Sequence, residues 1–74
     1  MARLPELSAR RVLAALRRAG FDEIRRRGSH RFLMHADGRS LTFALHEAER
    51  VGPKLLVKIL KDAGISPEEL RRLV

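Results

Sequence analysis

The sequence predicts an α+β domain in which two helices pack on one face of a three-stranded antiparallel sheet. Apolar residues recur at helical spacing over residues 9–19 and again between Pro53 and Gly64. Between these stretches lie three short extended segments, separated by the turn signals Gly28-Ser29 and Asp37-Gly38. The predicted order is therefore α-β-β-β-α, and a short extra helix follows at the C-terminus.

Capping residues support each predicted helix. Ser8 can accept a free backbone N–H of the first turn of helix 9–19, and Gly20 can end that helix in a left-handed conformation. Pro53 suits the first position of the second helix. Ser66 and Glu69 form a capping box for the last helix. The apolar stripe that marks the second helix as a core element is Leu55, Leu56, Ile59, Leu60 and Ala63.

The three strands are predicted at residues 21–27, 30–35 and 40–45. The charges of the first strand are typical of a sheet edge, with Ile24 as its apolar centre and facing the same way as Arg26. In the second strand, residues 32–34 form an apolar run that we expect to be buried. We assume a hairpin loop of four residues, 36–39, which would place His30 opposite residue 45 or 46. Residues 46–52 are expected to form a loop.

Length and composition limit the possible classes of protein. The 74 residues form a single predicted domain, 1–74, with room for one core. Cysteine is absent, so the chain has neither disulfides nor thiolate metal ligands. No apolar run approaches the roughly 20 residues of a membrane span, and the N-terminus lacks a signal-peptide pattern. We therefore expect a cytoplasmic protein without a membrane contact.

The charge balance indicates a polyanionic partner. The net charge is +7, and most of the 16 basic residues are arginine. The planar guanidinium binds phosphate oxygens in pairs, so nucleic acid is favoured over a purely solubilising role. Tyrosine and tryptophan are absent and only three phenylalanines occur, which disfavours an interface that stacks single-stranded bases on an aromatic platform.

Gly28-Ser29-His30 is the most informative motif. Arginines surround it, and His30 can gain or lose a proton near neutral pH. Because arginines bind phosphates, a histidine among them can act as general acid or base on a phosphodiester. The alternative is a histidine that only completes the turn. His35 has the opposite strand parity, and we expect it to be a solvated hairpin residue on the other face.

The ordered set of motifs resembles the HicA toxins, also called the YcfA-like family, over roughly residues 8–66. The matching motifs are Gly20-Phe21, Gly28-Ser29-His30 with Phe32, Asp37-Gly38-Arg39, Leu41-Thr42, His46, Leu56-Val57-Lys58-Ile59-Leu60 and Ala63-Gly64-Ile65. The resemblance implies a fold like the double-stranded-RNA-binding domain, cleavage of messenger RNA and neutralisation by a HicB antitoxin. It also implies that His30 is the catalytic histidine. Two departures from the family pattern, Ala44 and Lys54, lie near the loop that follows the third strand.

The sequence therefore predicts the toxin of a type II toxin–antitoxin system, acting as a metal-independent endoribonuclease, an mRNA interferase. His30 is the predicted acid–base residue, with His46 and Ser29 as possible auxiliary residues. No metal or cofactor is expected. The residues predicted to hold RNA are Arg25, Arg27, Arg31, Arg39, Lys54 and Lys58. The alternatives are a small RNA-binding module without catalysis, or a protein-interaction module that uses the exposed sheet face.

Overall fold

The computed structural model describes residues 7–44 and 50–74. Its elements are β1 (Leu7–Ser8), α1 (Ala9–Arg18), β2 (Phe21–Arg27), β3 (His30–His35), β4 (Ser40–Ala44), β5 (Arg50–Val51), α2 (Pro53–Ala63) and α3 (Pro67–Leu73). Strands β2, β3 and β4 form an antiparallel sheet in that order. The predicted α+β class, the three-stranded sheet and the short C-terminal helix are confirmed.

The core lies between the helices and one face of the sheet. The sheet contributes the apolar side chains of Phe21, Leu33 and Leu41, with at most 6% of their surface exposed. The helices contribute most of the other large buried side chains, among them Val12, Leu16, Leu56, Ile59, Leu60 and Leu70. Each such side chain contributes about 1.5–3 kcal/mol when it is fully buried. The opposite face of the sheet is turned away from this core.

The helix termini follow the predicted capping chemistry. Ser8 Oγ accepts a hydrogen bond from the Arg11 N–H at 3.3 Å, and Ser66 Oγ accepts one from the Glu69 N–H at 3.1 Å. Gly64 ends α2 with a φ of +68°. Side-chain caps of this kind typically stabilise a helix by about 1 kcal/mol. In residues 7–44 and 50–74, no helix is long and apolar enough to cross a membrane.

The expected buried run at residues 32–34 is wrong. Leu33 is buried, whereas Phe32 is half-buried and Met34 is 44% exposed. Successive side chains of a strand point to opposite faces, and the helices cover only one face of this sheet. Phe32 and Met34 therefore lie on the uncovered face despite their apolar character.

The β3–β4 hairpin has a shorter loop than expected, and this changes its register. The His35 N–H donates to the Arg39 carbonyl at 2.7 Å, so three residues, 36–38, form the loop. Gly38 has a φ of +99°, which suits the last position of a three-residue loop. His30 consequently lies opposite Ala44. The expectation that it faces residue 45 or 46 is wrong; Leu45 and His46 themselves lie outside the described residues.

A second, two-stranded sheet was not expected. Leu7 pairs with Val51 and Ser8 pairs with Arg50, so β1 and β5 form an antiparallel ladder. The prediction of a loop through residues 46–52 is thus wrong at Arg50 and Val51. Both Leu7 and Val51 are buried, so this ladder joins the start of α1 to the start of α2.

Candidate active site

A tight turn fixes the position of His30. Gly28 and Ser29 connect β2 to β3, and Arg27 pairs directly with His30 across the turn. Gly28 has a φ of +60°, and no described non-glycine residue has a positive φ. That combination fits a type II′ turn, which requires glycine at its first central position. His30 is exposed, and its backbone is held at the start of a paired strand.

A β-bulge in β2 determines which side chains share the face of His30. The register shifts between Glu23 and Arg25, so Ile24 is the extra residue. Beyond the bulge, Arg25 pairs with Phe32 and Arg27 pairs with His30. These two arginines therefore lie with His30 on the sheet face turned away from the core, as strand parity predicts.

We call this surface the open face; it consists of Arg25, Arg27, His30, Phe32, Thr42 and Ala44. Ile24 is 58% exposed and lies beside Asp22 and Met34. The expectation that Ile24 faces the same way as Arg26 is wrong, because the bulge resets the alternation of side chains.

His30 lines a groove of about 350 Å³ between the sheet and α2. Thr42 and Ala44 line it from β4, opposite Lys58 and Asp62 of α2. Leu55 and Ile59 complete the apolar part of the lining. The groove thus combines an imidazole, an ammonium group and a carboxylate on a partly apolar wall, which is the usual character of a ligand site.

Asp62 and Thr42 line the groove but are not among the site residues predicted from the sequence. Asp62 lies four residues after Lys58, and residues at this spacing lie on the same side of a helix, so the signal for Asp62 was available. Thr42 lies in β4, which pairs with the strand of His30, two residues before the end of β4. Its position in the groove depends on the register of the hairpin. Lys54 is exposed in the first turn of α2 but does not line the groove. Ser29 is half-buried in the turn.

Arg31 lies on the core side of the sheet, not on the open face. It is 4% exposed, and its guanidinium donates to Glu23 Oε1 at 3.1 Å. Glu23 also lies 3.6 Å from Arg26. A guanidinium buried in this way holds β2 against β3 and does not present a surface to a phosphate. The prediction that Arg31 holds RNA is therefore not supported by its position.

Arg39 links the β3–β4 hairpin to the end of α2 through hydrogen bonds. Its Nη1 donates to the Ala63 carbonyl at 2.5 Å, and its Nε donates to Asp37 Oδ2 at 2.8 Å. The guanidinium also lies 5.3 Å from the ring centre of Phe21. The bond to Ala63 satisfies a backbone carbonyl at the C-terminus of α2, where carbonyl groups lack partners within the helix. They give Arg39 a structural role, away from the groove that His30 lines.

The Asp37 carboxylate has a lowered pKa because Arg39 surrounds it with donors. The main cause is the hydrogen bond from the Arg39 backbone N–H at 3.0 Å, and the guanidinium adds to it. Because the pKa of Asp37 is lowered in the folded protein, its carboxylate stabilises the fold at pH values above the ordinary pKa of 3.8. This contribution is lost as the pH falls through the lowered pKa.

We therefore expect Asp37→Asn to reduce stability at neutral pH, by an amount that shrinks towards zero in strong acid. Urea unfolding of the two proteins across the acid range measures this difference. A difference that stays constant through the titration of Asp37 would show that its ionisation does not stabilise the hairpin.

His35 is a packed residue, and the expectation of a solvated hairpin histidine is wrong. Its side chain is 21% exposed, and its ring meets Phe21 edge-on at 5.2 Å. Nε2 lies 3.1 Å from the Ala19 carbonyl, and Nδ1 accepts the Asp37 N–H at 3.0 Å. A ring protonated at Nε2 alone satisfies both bonds. A Cβ on Gly20 would lie 2.6 Å from Nε2, so the ring depends on that glycine.

Within the described ranges, no three histidine or carboxylate side chains are close enough together to hold a metal ion. The groove itself brings together His30 and Asp62 as potential ligands. His46, predicted as an auxiliary residue, lies outside the described part of the chain.

A comparison with known protein families finds a match over most of the chain. The profile described as HicA toxin of bacterial toxin–antitoxin matches residues 9–65, which run from the start of α1 to the residue after α2 and its cap. The match places the chain among the toxins of bacterial toxin–antitoxin systems. It belongs to the HicA toxin family, as the resemblance predicts. No similar protein of curated function is found.

Proposed function

We propose that this toxin is a metal-independent endoribonuclease that cleaves messenger RNA, with His30 as its acid–base residue. The observation that carries the proposal is the position of His30, which is exposed, paired with Arg27 and in one groove with Lys58. A phosphodiester bound at His30 would lie beside the imidazole, with Lys58 in the same groove and Arg27 paired with His30 across the turn. Messenger RNA is the substrate that the family resemblance implies.

The chemistry follows from the side chains available. The neutral imidazole of His30 takes the proton of a ribose 2′-hydroxyl, and the 2′-oxygen then attacks the adjacent phosphorus. The bond to the 5′-oxygen breaks, and that oxygen takes up a proton as it leaves. The products are a 2′,3′-cyclic phosphate, which water can open to a 3′-phosphate, and a 5′-hydroxyl.

A single histidine does not easily serve as base and acid in the same step. Arg27 and Lys58 are positioned to share the work, because cations beside the phosphate stabilise the negative charge that develops as the 2′-oxygen attacks. Preorganised charge of this kind is commonly the largest contribution to catalysis in such sites. We therefore assign phosphate stabilisation to Arg27 and Lys58.

Four of the six cations predicted to hold RNA remain as proposed RNA-binding residues. Arg25 and Arg27 lie on the open face, Lys58 lies in the groove, and Lys54 precedes Lys58 by one turn of α2. Each phosphate contact releases counterions, so affinity for RNA should fall steeply with added salt. Arg31 and Arg39 are left out because their guanidinium groups are held within the fold.

End-group analysis of the cleavage products tests the proposed reaction. A 5′-hydroxyl fragment can be phosphorylated by a polynucleotide kinase without prior phosphatase treatment, and its partner carries a 2′,3′-cyclic or 3′-phosphate. Fragments with a 5′-phosphate and a free 3′-hydroxyl would overturn attack by the 2′-oxygen. A protein that binds RNA and leaves it uncut would instead favour the non-catalytic RNA-binding module.

We expect cleavage to persist in EDTA and to spare DNA. Acid–base transfer through His30 requires no metal ion, and DNA lacks the 2′-hydroxyl that attacks the phosphorus. The measurement compares cleavage of RNA and of DNA of the same sequence, with and without chelator. Activity that disappears in EDTA and returns with a divalent ion would contradict the proposed mechanism, and so would cleavage of DNA.

A further inference from the structure

Phe32 is an aromatic ring on the open face close to the proposed catalytic residue. It follows His30 by two positions in β3, so the two side chains project from the same face about 6.6 Å apart along the strand. Phe21, by contrast, is fully buried in the core. Phe32 is half-buried, so part of its surface faces the solvent. An apolar ring in this position is unexplained by packing of the core.

Arg25 covers this ring from the neighbouring strand. The two residues are register partners, and the Arg25 guanidinium carbon lies 5.8 Å from the ring centre of Phe32. Arg25 itself remains exposed. The contact holds a planar cation on the open face, beside the pair formed by Arg27 and His30. Arginine planes and aromatic rings are the two surfaces on which proteins stack unpaired bases of RNA.

We propose that Arg25 and Phe32 form a stacking site for one nucleobase of the substrate, adjacent to the phosphate on which His30 acts. This inference rests on the ribonuclease function proposed above. The distance between His30 and Phe32 along β3 is similar to the distance between successive nucleotides of an extended RNA strand. A phosphate held by Arg27 at His30 therefore places a neighbouring base over Arg25 and Phe32.

The stacking site is expected to bind single-stranded RNA in preference to duplex RNA. A base within a duplex is already stacked and paired, whereas an unpaired base is free to stack on a protein surface. Every base has a π-face, so one stacking site adds affinity with little preference for sequence. This single site differs from the many-ringed platform that the composition disfavours, because it requires one phenylalanine and one arginine.

Binding of modified oligonucleotides tests the stacking site. The probes are a 2′-O-methyl oligoadenylate of about eight nucleotides, which offers no attacking hydroxyl, and an abasic oligomer with the same backbone and length. We expect the wild-type protein to bind the base-containing probe about tenfold more tightly or better. Phe32→Leu should lose most of this difference and keep the dependence of affinity on salt, because the phosphate contacts remain.

Two further variants make the result specific. Arg25→Lys keeps the charge but not the planar surface, so we expect it to lose base preference without losing salt dependence. Met34→Leu changes an exposed apolar residue two pairs further along β3, and it should bind both probes as the wild type does. Circular dichroism and thermal unfolding show whether each variant is folded.

The outcomes separate the stacking site from the ribonuclease function. Full base preference in both Phe32→Leu and Arg25→Lys would overturn the stacking site, even if the wild type cleaves RNA. Base preference that depends on Phe32 and Arg25 would support it, even in a protein that cleaves nothing. If wild-type protein binds the two probes equally, the open face contacts only the backbone, and the stacking site is wrong.

Discussion

Replacing His30 with alanine is expected to lower the rate of RNA cleavage by about 10²–10⁴ and to abolish toxicity while the fold is retained. The large effect on rate follows from the loss of the His30 imidazole, the only one among the described residues that line the groove. The small effect on stability follows from its exposure. Growth after induction, cleavage by purified protein and circular dichroism measure the three quantities.

His35 supplies the matched control for this experiment. Its ring is packed against Phe21 and bonded to the Ala19 carbonyl, and it does not line the groove. We expect His35→Ala to lower the unfolding temperature and to leave cleavage per folded molecule close to that of the wild type. A His30→Ala protein that remains toxic and cleaves RNA would overturn the assignment of the catalytic residue.

The sequence predicted the elements of this fold well because their signals are local. Apolar spacing, Ser8, Gly64 and the turn at Gly28 each act within a few residues of where they occur in the chain. The same holds for the position of His30 at the start of β3. It follows directly from a two-residue turn whose glycine adopts a positive φ.

The errors arose where tertiary contacts or a single extra residue decided the outcome. The loop at residues 36–38 is one residue shorter than assumed, and that alone moves Ala44 opposite His30. The bulge at Ile24 likewise cannot be seen from the alternation of residues in β2. Register is sensitive to such changes because each step of one residue moves a side chain to the other face.

The roles of the arginines were the hardest part of the site to predict. Charge alone does not distinguish Arg31, which is buried beside Glu23, from Arg27, which lies on the open face. The sequence predicts Arg39 as an RNA contact, whereas its guanidinium partners in the structure are a helix carbonyl at Ala63 and the carboxylate of Asp37. Only the three-dimensional arrangement shows which guanidinium groups are already used by the fold.

The cations that remain available indicate how the toxin is silenced. A toxin of a toxin–antitoxin system requires an antitoxin, and this chain has no cysteine for a redox switch. Within the described residues, no ion pair joins Arg25, Arg27 or Lys58 to a carboxylate. These cations surround His30, so we propose that an acidic, HicB-like antitoxin covers the groove and excludes RNA from it.

We expect an equimolar amount of the antitoxin from the neighbouring gene to abolish RNA cleavage, because one surface would hold either partner. Association should slow as salt is added, since screening weakens attraction between opposite charges. Arg27→Glu should weaken the complex by about tenfold or more, because it brings like charges together at the centre of the contact. Arg17→Glu changes the net charge equally but lies on α1, outside the groove, and should leave the affinity close to that of the wild type. A complex that cleaves RNA as fast as the free toxin would show that the antitoxin binds elsewhere, and the open face would then be reserved for RNA alone.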